Sequence, residues 1–410
     1  MAKSDKIQAK DWEAIRAKNA RLSLRKQVEV IRSGTHMAEA PLPLHKSVYT
    51  SQARFEAETQ HIFHGQPLLA CLSGDIPNIG DILVFDAAGP SILVMRGKDG
   101  QARAFLNMCT HRGAKLIEES EPWKGNAKKM TCPFHAWTFD TSGNLIGQPG
   151  KAGFANCDIG GRNLIDVPCE EYLGMIFVRA NADSDESINA KAHLGSFGEQ
   201  LEQLELGRAE PVKKGILHAD SNWKFALDTY GESYHFSTLH KSSIAKVNYN
   251  DKSVFDPYDQ HHRVEFPKFY VGDLLDKDES EWPDTIYSGV HFLFPNSIIY
   301  FGAVKPGVFF TQVFRLFPDG VGKTKCHFAV YAPFGVKDET QRQDCEVNYD
   351  MTARIVQDED YHIASQGYAN LLHAPKNHHV VIGANEIALH DVHRNIAAVI
   401  GMPLDCEVSS

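Results

Sequence analysis

Two stretches decide how this chain is read: Asn107-Met108-Cys109-Thr110-His111-Arg112-Gly113-Ala114 and Cys132-Pro133-Phe134-His135-Ala136-Trp137-Thr138-Phe139-Asp140. Each is a short loop that offers one cysteine and one histidine. Two thiolates and two imidazoles are the ligand set of a Rieske-type [2Fe-2S] centre, with thiolates on one iron and imidazoles, which raise the potential, on the other. A structural zinc site uses the same residue types, but zinc fingers group the cysteines in one knuckle and the histidines in another. Here each loop mixes them, which favours the cluster. The spacer over residues 118–129 is slightly long and contains Glu121-Pro122-Trp123-Lys124-Gly125. Pro133 and Gly113 suit tight loops that aim backbone N–H groups at sulfide, and Trp137 and Arg112 supply polar-tipped neighbours, with core packing an equal reading for Trp137.

Working outward, 410 residues with 43% apolar composition can bury a large core in two or three domains. A net charge of -10 and a pI near 6.0 argue against a nucleic-acid binder. No apolar run is long enough to span a membrane, and residues 1–6 lack the apolar stretch of a secretory signal, so a cytoplasmic location is expected. Cys71, Cys157, Cys169, Cys326, Cys345 and Cys406 have no paired spacing and read as free thiols.

The expected class is α+β. Residues 9–31 carry the pattern of one or two amphipathic helices that pack on another domain or subunit, and residues 1–44 are taken as an N-terminal helical segment. Residues 45–180 read as a small β-rich cluster domain, with Gly80-Asp81 before a strand and Asp99-Gly100 marking a hairpin. Residues 181–410 form the larger domain. In it, 290–301, 308–317 and 325–332 look like successive antiparallel strands, and 223–240 and 344–372 look helical. The stretch 291–301, with Val308, Phe309 and Phe310, suits either an apolar pocket or core.

A cluster of this kind only moves electrons, so a second centre is sought. The run Asp228-Thr229-Tyr230-Gly231-Glu232-Ser233-Tyr234-His235-Phe236-Ser237-Thr238-Leu239-His240 offers two histidines able to hold a non-haem iron. On a helix, Asp228, Glu232 and His235 share one face, whereas His240 sits about 140° from His235. Chelation by both therefore predicts a bend, an early helix end or a π-type turn between them. A carboxylate must complete the two-His-one-carboxylate face, and Asp358, Glu359 and Asp360 form an acidic run further on. Charge alone would place that run on a solvated helix face.

The two cluster loops closely resemble those of Rieske non-haem iron oxygenases. From about residue 45 onward the chain is similar to the large (alpha, terminal oxygenase) subunits of the aromatic-ring-hydroxylating dioxygenase family, except that Ala136 stands where members usually carry Gly. The resemblance implies an all-β Rieske domain and a catalytic domain whose antiparallel sheet is covered by helices in a helix-grip arrangement. Cys109, His111, Cys132 and His135 would hold one [2Fe-2S] cluster. His235, His240 and Asp360 would hold one Fe(II), where O2 is activated, with NAD(P)H acting through a reductase. Glu232 stands where the family has its bridging acid, more often Asp, and would connect His235 to His111 or His135 of a neighbouring subunit. Asp228 is a further candidate beside the site, with a capping or surface role as the alternative. His390 and His393 fall in a segment read as structural or interfacial.

Implied partners are a separate reductase with or without a ferredoxin, a small organic substrate, and sister subunits in a homotrimer or a ring completed by small beta subunits. Neither a Gly-rich nucleotide fingerprint nor a ferredoxin cysteine run occurs in the chain. The leading expectation is hydroxylation of a hydrophobic, ring-containing substrate. The alternative is a monooxygenase that demethylates or cleaves a small quaternary amine or ether, an option supported by Glu in place of the bridging Asp. A third is a non-enzymatic electron carrier.

Overall fold

The computed structural model describes residues 11–118, 124–155, 161–305 and 307–406. Residues 1–6, Cys157 and the spacer residues 119–123 lie outside the described residues. The chain is α+β, as expected.

The cluster-bearing part is built from short antiparallel strands. Asp81–Phe85 and Ile92–Arg96 are buried at every position, so they read as continuous apolar runs rather than alternating ones. They lie in a five-stranded sheet ordered Asp166–Val167, Ala102–Leu106, Ile92–Arg96, Asp81–Phe85, Lys124–Asn126. The hairpin signalled at Asp99-Gly100 forms, with Gly100 at φ +79°, and pairs Arg96 with Ala102. The first cluster loop leaves the end of Ala102–Leu106. The second joins Lys129–Thr131 to Thr138–Asp140 in a separate three-stranded sheet. A third sheet brings Cys169–Tyr172, Met175–Val178 and Leu68–Leu72 together.

The larger part centres on a seven-stranded antiparallel sheet ordered Glu210–Ala219, Thr324–Ala332, Val308–Pro318, Ser297–Lys305, Gly289–Leu293, His261–Glu265, Val254–Tyr258. The single strand expected over 290–301 is two strands, Gly289–Leu293 and Ser297–Lys305, folded into a hairpin at Phe294-Pro295-Asn296. Phe292, Leu293, Phe294, Ile298, Ile299 and Phe310 from the proposed pocket stretch are buried in the hydrophobic cores. Helices Glu339–Ile355, Tyr361–His373 and Ile387–Ile400 contribute Tyr349, Tyr361 and Val392 to the same core.

The described residues of the segment 9–31 form one helix, Trp12–Ser33, whose Asp11 side chain accepts a hydrogen bond from the Ala14 N–H at 3.1 Å. It packs on the larger part of the same chain through Leu24 and Val28 against Val271 and Leu274. The cluster part is tied to the large sheet by buried Asp75, which accepts from Tyr331 Oη at 2.9 Å and from Lys214.

Candidate metal centres

The two cluster loops are closed by the same pair of backbone hydrogen bonds. Cys109 N–H donates to Ala114 O at 2.8 Å and Gly113 N–H to Cys109 O at 2.9 Å. Cys132 N–H donates to Trp137 O at 2.7 Å and Ala136 N–H to Cys132 O at 3.0 Å. Gly113 and Ala136 occupy equivalent places, four residues after each cysteine, and both are left-handed, at φ +79° and +56°. That geometry explains why glycine is natural there, because an L side chain in this region crowds its own carbonyl.

The closed loops bring the rings of His111 and His135 to 4.7 Å, and Trp137 stacks on His111 at 4.8 Å with an interplanar angle of 8°. Arg112 caps the Phe134 ring at 4.9 Å. Cys109 and Cys132 are buried. Nδ1 of both histidines is buried without a hydrogen-bond partner, a costly state unless a metal takes the lone pair. Among the described residues, only His235, His240 and Asp360 form a trio with ligand atoms all within 4.8 Å of one another. The cysteine–histidine quartet therefore does not close round a single point, as a tetrahedral zinc site would, and its donor set fits a two-iron cluster.

The second site departs from the helix expected over 223–240. Asn222 caps a helix that runs only over Trp223–Asp228. The chain then opens, and Gly231 passes so close to helix Ile387–Ile400 that a Cβ there would meet Leu389 Cδ2 at 2.7 Å. The shared helical face of Asp228, Glu232 and His235 consequently does not exist. A single turn, Phe236–Leu239, follows, with His235 just before it and His240 just after it. The expected helix thus ends early, but at Asp228, before both histidines; between them the chain makes one helical turn that stops at Leu239, and the π-type turn occurs elsewhere, at Val356–Asp360. The helix expected over 344–372 is accordingly two, Glu339–Ile355 and Tyr361–His373, joined through that turn.

These irregularities converge three ligand atoms. His235 Nε2 lies 3.1 Å from His240 Nε2, and Asp360 Oδ1 lies 3.2 Å from His240 Nε2 and 3.5 Å from His235 Nε2. Asp360 Oδ1 is buried and completes no hydrogen bond. The far nitrogens are held from behind: His235 Nδ1 by Glu232 Oε1, and His240 Nδ1 by Glu359 Oε2 at 2.6 Å. Such carboxylates fix tautomer and ring orientation and leave Nε2 free for a metal.

Burial works against charge on His235, yet contact with Asp360 and Glu232 outweighs it and raises its pKa to about 9. His240 is raised by Asp360 and Glu359 against the same burial. For Asp360, burial favours the neutral acid, but the two imidazoles hold the carboxyl below its ordinary range. A cation placed among these atoms would replace protons the imidazoles otherwise hold. Two imidazoles and one carboxylate on one side suit a non-haem iron with open positions.

The remaining candidates are spread more widely. Glu232 is buried and also accepts from the N–H groups of Tyr234 and His235, the latter at 3.2 Å. Asp228 faces away from the trio, accepting from Tyr49 Oη at 2.7 Å and His393 Nε2 at 2.9 Å. His390 Nε2 bonds Gly383 O at 2.9 Å. Glu359, considered as a ligand, supports His240 instead. Its signal was its place beside Asp360, because a π-turn brings consecutive residues nearer one face than a regular helix does.

Fold and donor sets together define an iron-sulfur protein of the Rieske type with a second, mononuclear iron centre. Residues 66–158 match the Rieske [2Fe-2S] domain and residues 206–402 match the ring hydroxylating alpha subunit (catalytic domain). The chain is 32% identical over 328 residues to the carnitine monooxygenase oxygenase subunit of Acinetobacter baumannii, covering 73% of this chain and 77% of that one. It is 29% identical over 229 residues, 56% of its own length, to the glycine betaine monooxygenase oxygenase subunit of Pseudomonas aeruginosa, and spans about half (51%) of that relative. The crystal structure of the quaternary ammonium Rieske monooxygenase CntA superposes with a TM-score of 0.73 at 22% identity, covering 88% of this chain and 95% of that one. The chain belongs to the Rieske oxygenase alpha-subunit family. Its matched domains imply one [2Fe-2S] cluster and one mononuclear iron. No helix among the described residues is long and apolar enough to cross a membrane.

Proposed function

We propose that this chain is the terminal oxygenase of a multicomponent system and oxidises a small quaternary amine. The observation that carries the oxygenase reading is the convergence of His235 Nε2, His240 Nε2 and Asp360 Oδ1, each histidine being braced by its own carboxylate. Cys109, His111, Cys132 and His135 would hold the cluster, and His235, His240 and Asp360 the iron. Bound there, the two groups would supply stepwise electrons and dioxygen activation. The cluster domain is assigned to 45–180 and the catalytic domain to 181–410, preceded by the helical segment 1–44.

Glu232 carries the proposal between subunits. Among the described residues, its hydrogen bonds come from residues 234 and 235, and none from the cluster loops. Beside it Tyr234 is 60% exposed, and beside His135 Phe134 is 54% exposed, so each centre carries a partly exposed aromatic at its rim. Exposed aromatics of this size favour burial against a partner. A homotrimer in which the His111 and His135 edge of one subunit meets Glu232 of the next covers both. A reductase, with or without a ferredoxin, would deliver electrons in the cytoplasm.

The amine is favoured by Glu232 in the bridging position and by the carnitine and glycine betaine monooxygenase relatives. Hydroxylation of a C–H bond next to the nitrogen gives a product that falls apart into an amine and a carbonyl compound. The match to the ring-hydroxylating catalytic domain supports the second reading, attack on a hydrophobic ring. The test is coupled oxygen uptake by iron-loaded protein with a generic reductase and a panel of trimethylammonium compounds and aromatic acids. Aldehyde or free amine is the expected product, whereas diol or phenol selects the ring. Uptake unchanged in His235→Ala would leave only an electron carrier.

A further inference from the structure

Next to the iron trio, three oxidisable side chains meet that ligate nothing. Tyr361 directly follows Asp360, and its hydroxyl lies 2.9 Å from that of Tyr230. The Cys326 thiol, fully buried on the strand Thr324–Ala332, lies against both hydroxyls. Tyr230 is within electrostatic range of the Asp360 carboxylate.

From Tyr230 a run of rings leads outward. Tyr230 to Phe314 is 5.0 Å between centroids, Phe314 stacks on Phe328 at 4.3 Å, and Phe328 stacks on Tyr349 at 4.6 Å. Lys213 Nζ sits 5.3 Å from the Tyr349 centroid and pairs with exposed Asp350 at 2.6 Å, so the run ends at the surface. Tyr361 also lines an open concavity of about 340 Å³ together with His218, Asp220, Asp358 and His362. A phenol gives up an electron readily only when its proton has somewhere to go. Here the electron path runs along the stacked rings, and the proton of Tyr230 can pass to its hydrogen-bond partner, the Tyr361 hydroxyl.

We propose that Tyr230 and Tyr349, with Tyr361 as the proton partner of Tyr230, carry oxidising equivalents away from the iron ligands when an oxidant reacts at the iron with no substrate bound. The proposal rests on the oxygenase reading. With hydrogen peroxide as oxidant, the peroxide O–O bond breaks and two waters form. Of the two electrons consumed, one comes from Fe(II), which becomes Fe(III), and one from a tyrosine, which becomes a phenoxyl radical. The tyrosine gives up its phenolic proton, and one further proton comes from solvent. Tyr230 is oxidised first, passing its proton towards Tyr361. Tyr349 then refills Tyr230 through the rings and releases its own proton to water, while Tyr230 takes a proton back from the Tyr361 hydroxyl, which is resupplied from solvent. A small thiol in solution returns a hydrogen atom to Tyr349, and two thiyl radicals pair as a disulfide.

The test uses cluster- and iron-loaded protein mixed with hydrogen peroxide without substrate, then freeze-quenched for electron paramagnetic resonance. A parallel sample is treated with a nitroso spin trap and its adducts are located by peptide mass spectrometry. The wild type is expected to show a tyrosyl signal and an adduct on Tyr349. Tyr349→Phe loses that adduct but keeps an inner radical and its substrate-coupled turnover, and Tyr230→Phe loses both the inner radical and the Tyr349 adduct. Both changes keep the ring, and iron content together with thermal unfolding verifies that each variant is folded and loaded. Adducts scattered over other residues, or an undiminished Tyr349 adduct in Tyr230→Phe, would overturn the proposal alone. Absence of iron-dependent peroxide consumption in the wild type would overturn the oxygenase reading and the proposal with it.

Discussion

The cluster loops draw all four candidate ligands from residues 109–135, on two turns that close themselves with the same backbone hydrogen bonds. The iron trio draws on residues 235, 240 and 360, brought together by a helix that stops early, a one-turn helix and a π-turn. One site is local and built from left-handed turns at Gly113 and Ala136. The other is assembled across the fold, and no residue of 228–240 or 356–360 has a positive φ. A self-closed loop can hold its ligands with little help from the rest of the molecule, whereas a converged site depends on the packing of every element that aims a side chain into it.

The sharpest way to break this comparison is to remove a ligand from each site. Asp360→Ala is expected to abolish binding of the mononuclear iron and substrate oxidation while the cluster's visible absorption survives. Cys132→Ser should remove the cluster and leave the trio able to take iron, since the sites share no residue. Iron analysis with the absorption spectrum decides, and loss of both metals from either change would mean that the sites fold as one unit.

The same contrast explains what could be read in advance. The spacing of Cys109, His111, Cys132 and His135 is visible because all four fall in two short loops, and His235 and His240 were visible from their proximity. The way they converge was not: the length of the helix after Trp223 depends on the approach of Leu389 to Gly231, a contact between residues far apart in sequence. Asp360 needed the family resemblance, because charge alone sends Asp358, Glu359 and Asp360 to solvent, and only the π-turn lets two of them reach the histidines. The role of Glu359 behind His240 was hidden for the same reason.

Glu359→Ala tests the dependence of the distal site on its supports. It takes the acceptor from His240 Nδ1 without touching a ligand atom, and iron affinity should fall by about 10- to 100-fold. Competition with a chelator measures it, and cluster content serves as the internal control. Glu359→Gln, which keeps a hydrogen-bonding oxygen, should recover part of the loss, and a variant that binds iron as tightly as the wild type would remove Glu359 from the site.

Acid should separate the two halves more gently. Burial lowers His291 to about 3 and His193 to about 4, from an ordinary value of 6.5, and both belong to the larger part of the chain. Because their folded pKa values lie below the unfolded one, the unfolded chain binds more protons as pH falls from about 6.5 towards 3. The stability that their neutral burial permits is complete above that window and is lost on descending through it. Denaturant titrations followed by tryptophan fluorescence, to which Trp223 and Trp282 of the larger part contribute together with the chain's three other tryptophans, should therefore shift to lower denaturant at pH 5 than at pH 7. His291→Phe should flatten that slope, and an unchanged slope would show that His291 does not contribute to it.

The smallest expected effect lies in the local site, at Ala136. Its φ of +56° places an alanine in the left-handed region, which costs a residue with a Cβ about 1–2 kcal/mol, and the side chain is exposed, so little contact is lost on removing it. Glycine removes that strain but makes the unfolded chain more flexible, which takes back about 0.4–1 kcal/mol. Ala136→Gly should thus stabilise the cluster loop by up to about 1.6 kcal/mol, matching the glycine already present at the equivalent Gly113. Cluster bleaching in a thermal ramp is the proper readout because it reports the cluster loops alone, whereas global unfolding reports both halves at once. Ala136→Val makes the opposite test, since a β-branched side chain at positive φ strains the turn that aims His135 and Trp137. If the glycine variant bleaches at or below the wild-type temperature while the valine variant is unharmed, the loop does not bear the strain its backbone implies, and the cluster ligands are held in place by their neighbours, as the iron ligands are.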